Sequence, residues 1–222
     1  MGYVKWLGHA CFEIELDGAL IYIDPWITNP KSPITINDIK KVDYVFVTHD
    51  HGDHLGEAFE IAKKFNAAFI SIYELAVKAQ KEGIKNVIGA NIGGPIKVGD
   101  LTAYLVPALH SCSAGAPIGI IIKGKEATIY HAGDTGVFLD MQLIRELYQP
   151  DIALLPIGGH FTMGPIEAAK AVELIKPKVV IPMHYQTFDV ISGDPETFRK
   201  EVEKRAPNVK VIILKPGESY SF

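Results

Sequence analysis

Four side chains of types that bind metal ions lie within six consecutive residues of this chain: His49, His51, Asp53 and His54. Imidazole and carboxylate ligands together suit zinc, iron, manganese, cobalt or nickel. No cluster of thiolates accompanies them, which favours a catalytic metal site over a closed structural zinc site. The alternative is a polar loop at a helix N-terminus in which Asp53 is only a capping residue.

Two further segments place polar side chains directly after apolar stretches. Asp134 closely follows the apolar run Ala127–Tyr130, and His184 follows the run Val179–Met183. In an open sheet, ligands gather beyond the strand ends, where loops leave the layer. We therefore expect both side chains to face one cleft together with the cluster at residues 49–54.

The apolar patterns around these residues predict alternating strands and helices. Cys11–Leu16 and Ala19–Ile23 predict a hairpin with a turn at Asp17-Gly18, and Tyr44–Val47 predicts a buried strand. The remaining patterns predict helices at Leu55–Phe65, Glu74–Lys81 and Pro165–Ile175, and strands at Ala68–Ile72, Leu101–Val106, Ile118–Ile122, Ala127–Tyr130, Ala153–Pro156 and Val179–Met183.

The second half of the chain repeats the order of elements in the first. Asp151–Pro156 corresponds to Asp43–Thr48, Gly158–His160 corresponds to the polar loop that follows, and Pro165–Ile175 corresponds to its helix. The sequence thus predicts one α/β domain spanning residues 1–222, built from two pseudo-symmetric halves. Two facing sheets with helices outside would form a four-layer αβ/βα sandwich.

Composition restricts the classes of protein to which the chain can belong. It contains 22 Lys and Arg against 26 Asp and Glu, a net charge of −4, which argues against a strongly basic nucleic-acid platform. The two cysteines, Cys11 and Cys112, form no CxxC pair, which fits a reducing compartment. We expect neither a signal peptide nor a membrane-spanning segment, and hence a cytoplasmic protein.

The chain resembles the metallo-β-lactamase superfamily, whose H-x-H-x-D-H signature matches residues 49–54 without a mismatch. The resemblance covers nearly the whole chain and includes His110, Asp134 and His184 in the family's order. It implies a dinuclear site with one metal ion on His49, His51 and His110, the other on Asp53, His54 and His184, and Asp134 as the bridge. Zinc is the first expectation, and some members of the superfamily use manganese, iron or nickel.

Two other segments are similar to one branch of that superfamily. Trp6–Phe12 and Gly159–Gly164 resemble compact, poorly characterised hydrolases, a branch that also contains ascorbate-lactone hydrolases. Members that handle oxygen at a di-iron site tend to have glutamate in place of the middle histidine of the signature. Because that position is His51 here, hydrolysis is the favoured chemistry.

The resemblance implies that a hydroxide bridging two metal ions cleaves an ester, lactone or phosphodiester of a small-molecule substrate. Asp53 and Asp134 would orient this hydroxide. The candidates for protonating the leaving group are His160, Tyr185 and His9, with His160 first because it mirrors the metal cluster in the second half. Each of the three also has a structural interpretation, as a core or packing residue or as an outer-sphere residue at a strand end.

Several alternatives remain open at this stage. One is a nuclease that resembles ribonuclease Z and acts on RNA or nucleotides, and another is a non-catalytic metal-binding regulatory protein with the same fold. Asp24 has two interpretations, as a hydrogen-bond acceptor for a ligand histidine or as part of the turn before Pro25. Exposed strand edges are compatible with a homo-oligomer.

Overall fold

Two seven-stranded β-sheets contain the apolar segments of the chain. The computed structural model describes residues 1–222. In spatial order, the first sheet consists of β14 (Ser219–Ser221), β1 (Tyr3–Trp6), β2 (Phe12–Leu16), β3 (Ala19–Ile23), β4 (Tyr44–Phe46), β5 (Ala68–Ile72) and β6 (Val87–Ala90). Its helices are α1 (Gly52–Leu55), α2 (Ala58–Phe65) and α3 (Tyr73–Lys81).

The second sheet is built from the second half of the chain. In spatial order, it consists of β7 (Ile96–Val98), β8 (Leu101–Pro107), β9 (Ile118–Lys123), β10 (Thr128–His131), β11 (Ile152–Pro156), β12 (Val179–Met183) and β13 (Lys210–Val211). Its helices are α4 (Met141–Tyr148), α5 (Pro165–Ile175) and α6 (Pro195–Arg205).

The two sheets repeat the same pairing pattern, which confirms the predicted pseudo-symmetric halves. In the first sheet the pairs from β14 to β3 are antiparallel and those from β3 to β6 are parallel. In the second sheet the pairs from β7 to β10 are antiparallel and those from β10 to β13 are parallel. One strand crosses between the halves, because β14 at the end of the chain pairs with β1.

Apolar side chains from both sheets and from the helices form one hydrophobic core of 62 buried residues, as expected for the predicted four-layer sandwich. Strand β2 buries alternate residues, whereas β11 and β12 are buried throughout. Across the sheets, the Phe12 ring meets the His131 ring at 5.7 Å. None of the helices has the length and hydrophobicity that a membrane span requires.

The helix predicted from Leu55 to Phe65 is interrupted. Gly56 has φ +40° and separates the single turn of α1 from α2. A Cβ atom at this position would lie 2.4 Å from the Trp26 Cα atom, so only glycine allows the chain to pass there. The direction of the short helix α1 is therefore independent of α2. Two of the predicted metal ligands lie on α1.

Candidate metal centre

The loop between β4 and α1 brings the histidines of the signature into contact with one another. His49 follows the end of β4 and is buried, with its Nδ1 atom 3.0 Å from the hydroxyl of Thr48. Its Nε2 atom lies 2.9 Å from the Nδ1 atom of His51. Asp53 and His54 belong to α1, which starts directly after His51.

Asp134 enters the same cluster from the second sheet. It lies beyond β10, after Gly133, which has φ +61°. A Cβ atom at Gly133 would lie 2.8 Å from the carbonyl oxygen of Ile118 and 3.0 Å from the Thr48 Cβ atom, so this turn requires glycine. The tight turn allows the Asp134 loop to pack against the loop that carries His49.

The loops that bear His110 and His184 are fixed by hydrogen bonds next to the cluster. The backbone N–H of Leu109 donates to Thr135 Oγ1 at 2.9 Å, which ties the His110 loop to the Asp134 loop. His184 follows β12 with φ +54°, and its backbone N–H donates to the carbonyl oxygen of His9 at 2.9 Å. Both loops therefore reach the cluster from the edge where the parallel strands end.

All seven predicted ligands meet at this edge. Asp134 is the central residue, with carboxylate oxygens 3.3 Å from His54 Nε2, 3.5 Å from His110 Nε2 and 3.2 Å from His184 Nε2. The possible ligand atoms form three overlapping sets, and within each set all atoms lie within 4.8 Å of one another. The sets are His49, His51 and His110; His49, His54 and Asp134; and His9, Asp53, His54 and His184.

Histidines on the two sides of the cluster have opposite pKa shifts. Burial, together with the nearby His54, lowers the pKa of His49 to about 3. Burial also opposes protonation of His54, but the carboxylates of Asp134 and Asp24 outweigh burial and raise its pKa well above the usual value. Burial disfavours the ionised form of Asp134, yet His54 and His184 hold its pKa well below the usual value.

Several buried polar atoms at the centre of the cluster have no hydrogen-bond partner. They are His54 Nε2, Asp134 Oδ1 and both ring nitrogens of His184. Buried polar atoms are normally paired, because an unpaired one loses its hydration without compensation. Imidazole nitrogens and carboxylate oxygens that converge in this way fit divalent metal ions, so the residues present are suited to the metals the sequence predicts.

Asp24 contacts a predicted ligand histidine and does more than stabilise a turn. It is fully buried after β3, and its Oδ2 atom lies 2.7 Å from His54 Nδ1. The same carboxylate accepts hydrogen bonds from the backbone N–H and the hydroxyl of Thr48. With Nδ1 engaged by Asp24, the Nε2 atom of His54 faces the cluster.

A cavity of about 320 Å³ opens over the cluster. Its lining consists of His51, Asp53, His110, Ser111, Asp134, Phe161 and His184. Phe161 is the only apolar residue in this set and is 55% exposed. No lysine or arginine lines the cavity.

The three candidate proton donors differ in position. His160 is exposed, lies edge-on to the Phe161 ring and is not among the residues that line the cavity. Tyr185 is buried and stacks on Trp6 at 5.3 Å. His9 is fully buried, and both of its ring nitrogens are within hydrogen-bond distance of other side chains. The choice of His160 stays a prediction, and its exposed position outside the cavity lining does not favour it.

The sequence did not single out several residues that hold the cluster in place. Asp50, between the two histidines of the signature, accepts hydrogen bonds from the backbone N–H groups of Ser113 and Ala114 beyond His110. His131 Nε2 lies 2.9 Å from the carbonyl oxygen of Ala10. Their partners are 63 residues or more distant along the chain, so no local pattern reveals them.

Residues 3–184 match the family model of the β-lactamase superfamily domain. The chain belongs to this superfamily. A UPF0173 metal-dependent hydrolase of Caldivirga maquilingensis is 61% identical over 220 residues, which cover 98% of this chain and 97% of the relative. The protein is thus a metal-dependent hydrolase of the superfamily, and the interpretation as a non-catalytic regulatory protein is set aside.

Solved structures of similar proteins share this fold. Igni18, described as a novel metallo hydrolase from the archaeon Ignicoccus hospitalis, has a TM-score of 0.94 and 46% identity, covering 100% of this chain and 99% of that chain. An isothiocyanate hydrolase from Delia radicum gut bacteria has a TM-score of 0.81 and 18% identity, covering 99% of this chain and 98% of that one, and shares the fold.

Proposed function

We propose that the protein hydrolyses a small, uncharged carboxylic ester or lactone with two divalent metal ions held in the histidine and aspartate cluster. The observation that carries the proposal is the convergence of seven ligand side chains, three of which have buried polar atoms without a hydrogen-bond partner. A bound pair of divalent ions would supply a water of lowered pKa and a Lewis acid for the carbonyl oxygen.

We assign the ligands to two groups, one for each ion, as the resemblance to the superfamily implies. The three-histidine group consists of His49, His51 and His110, and the Asp53 group consists of Asp53, His54 and His184. Asp134 contacts both groups, since it lies within 3.5 Å of His110 and within 3.3 Å of His54 and His184. These contacts support Asp134 as the shared ligand. The donor types favour zinc and are compatible with manganese, iron or nickel.

Neighbouring residues orient the histidines that would bind the ions. The Thr48 hydroxyl donates to Asp24 at 2.7 Å, so its oxygen is free to accept a hydrogen bond from His49 Nδ1. Asp24 also accepts a hydrogen bond from His54 Nδ1. One buried carboxylate thereby fixes the tautomers of two ligand histidines, directly for His54 and through Thr48 for His49, and leaves both Nε2 atoms for the metal.

The charge of the cavity supports an uncharged substrate over a phosphodiester. A site for nucleic acid or a phosphate ester usually contains lysine or arginine, which neutralises the phosphate. Here the cavity lining has none, and Phe161 provides an apolar surface at its edge. The volume of about 320 Å³ is at the lower end for small-molecule sites and suits a compact ester or lactone. An RNA substrate is the less favoured alternative.

The proposal is tested by comparing substrates on purified protein treated with chelator and then reloaded with zinc. We expect hydrolysis of p-nitrophenyl butyrate and of a γ-lactone, loss of both activities with chelator, and recovery with metal. Bis-p-nitrophenyl phosphate and a short RNA should be cleaved at least about tenfold more slowly, because no lysine or arginine lines the cavity to bind the phosphate oxygens that the metal ions do not hold. Faster cleavage of either phosphodiester, or activity that survives removal of the metal, would contradict the proposal.

A further inference from the structure

His9 occupies a strained position beside the metal centre. It follows β1 by three residues, just as His110 follows β8 in the matching place of the second half. Its backbone has φ +52°, a left-handed conformation that is uncommon for residues other than glycine, and its side chain is fully buried. Backbone strain of this kind persists only where surrounding contacts hold it, so the contacts of His9 are informative.

Both ring nitrogens of His9 have side-chain partners. Nε2 lies 3.0 Å from Asp53 Oδ2, and Nδ1 lies 3.0 Å from the hydroxyl of Thr187. An ionised carboxylate only accepts hydrogen bonds, so Nε2 carries the proton and Nδ1 accepts from Thr187. The Thr187 hydroxyl thus selects the tautomer that donates to Asp53.

His9 also contacts His184. Its carbonyl oxygen accepts the backbone N–H of His184 at 2.9 Å, and the two rings are 4.0 Å apart. Its third contact in the cluster is with His54, at 5.7 Å between ring centroids. The contacts of His9 therefore all fall on the Asp53 group and leave the three-histidine group untouched.

Two aromatic rings cover His9. Trp26 and Phe188 lie 5.2 and 5.6 Å from it, in edge-on contacts, and stack on each other at 5.8 Å. The two rings thereby cover the His9 side of the hydrogen bond with Asp53, whereas the Asp53 carboxylate lines the cavity.

We infer that His9 and Thr187 are a positioning pair that sets the affinity of the Asp53 group for its metal ion. The inference rests on the proposed metal-binding function. By donating to Oδ2, His9 fixes one oxygen of Asp53 and so determines how the carboxylate is presented to the ion. Outer-sphere partners of this kind alter metal affinity about 10- to 100-fold when removed.

The experiment measures the two metal dissociation constants by competition with a chromophoric chelator, using zinc added to metal-free protein. Thr187→Val removes the hydroxyl at nearly constant volume, and Thr187→Ser keeps it. We expect the first variant to bind one of the two ions about 10- to 100-fold more weakly and the second to stay within about twofold of the wild type.

A second pair of variants tests His9 itself. His9→Gln retains a donor near the position of Nε2, whereas His9→Leu has none, and both residues carry the same left-handed backbone. We expect His9→Leu to lose one ion under conditions in which His9→Gln keeps both. The two metal-free variants should have similar melting temperatures. A difference in metal binding would then reflect the positioning of Asp53 and not a difference in folding.

The outcomes distinguish this inference from the proposed function. If the wild type binds fewer than two ions, the proposed dinuclear function is contradicted. If the wild type binds two ions and Thr187→Val binds both with unchanged affinity, or loses affinity for both equally, only the positioning pair is refuted. Equal loss in His9→Gln and His9→Leu would also refute it, since it would indicate that a hydrogen-bond donor is not what the site requires.

Discussion

The three-histidine group and the Asp53 group differ in burial, charge and support. His51 and His110 are partly exposed, and burial lowers the pKa of His49, which holds His49 in its neutral form. In the Asp53 group, His54 and His184 are buried, and Asp24 and His9 hold two of the three ligands. A preorganised group that contributes a carboxylate should bind its cation more tightly than a group of three imidazoles, two of which are partly exposed.

This difference indicates separate tasks for the two groups. Both groups line the cavity, with His51 and His110 from one and Asp53 and His184 from the other. An ion held by the three-histidine group is the one expected to exchange first, because its own ligands include no carboxylate. Asp134 couples the groups because it contacts both. Substitutions at the shared residue, in or beside each group and outside the cavity test this difference.

The largest effect is expected at the shared residue. Asp134→Ala removes contacts with both groups, so we expect ester hydrolysis to fall by roughly 10³-fold or more while the protein stays folded. The checks are steady-state kinetics and circular dichroism, with the exposed Asp100→Ala as the control. A variant that keeps near wild-type turnover would show that the two groups do not work through Asp134.

A smaller and more selective effect is expected at Asp24. Asp24→Asn removes the buried negative charge that pairs with His54 Nδ1. We expect the more tightly bound ion to lose about 10- to 100-fold in affinity and the other ion to lose less, because the carboxylate contacts His54 directly but reaches His49 only through Thr48. Zinc titration against a chelator measures both ions, and Asp100→Asn is the matched surface control. If the variant lowered the affinity of only the more weakly bound ion, the Asp53 group would be the weaker site, contrary to our assignment.

The opposite pKa shifts of His49 and His54 predict how the stability of the metal-free protein depends on pH. The folded-state pKa of His49 is lowered to about 3, so its contribution is fully present above the unfolded value near 6.5 and is lost as pH falls. The pKa of His54 is raised, so its contribution is present below 6.5 and is lost only at high pH.

Between pH 6.5 and 4.5, His49 alone should therefore cost roughly 2 kcal/mol of unfolding free energy, while His54 should not destabilise the fold. Urea unfolding in the presence of chelator measures this loss, and His49→Asn should reduce it. If the variant shows the same acid sensitivity as the wild type, the pKa of His49 is not lowered in the metal-free protein.

The metal ligands and most strands and helices of the sandwich could be predicted from local sequence patterns. Ala68–Ile72 and Pro165–Ile175 have the predicted bounds, because period and flanking residues define such elements locally. The helices Met141–Tyr148 and Pro195–Arg205 were not predicted, and neither was the pairing of Tyr3–Trp6 with Ser219–Ser221. That pairing joins the two ends of the chain and depends on the completed sheet.

The support of the site was less predictable than its ligands. His9 and Thr187 are separated by 178 positions, and the sequence offers no pattern that joins them. The pseudo-repeat correctly relates the two halves, but it also led to His160 as the mirror image of the metal loop. In the structure that loop has two glycines before His160, which has φ +62° and is exposed.

The smallest effect is expected at His160, and it tests whether a residue outside the cavity lining takes part in the reaction. Because His160 is exposed and outside the cavity lining, His160→Gln should change kcat for an alkyl ester less than about threefold. An alkyl ester and an activated aryl ester should be compared, since only the former needs a proton on its leaving group. A loss of about 10²-fold or more confined to the alkyl ester would instead establish His160 as the acid and show that the Phe161 loop moves over the substrate.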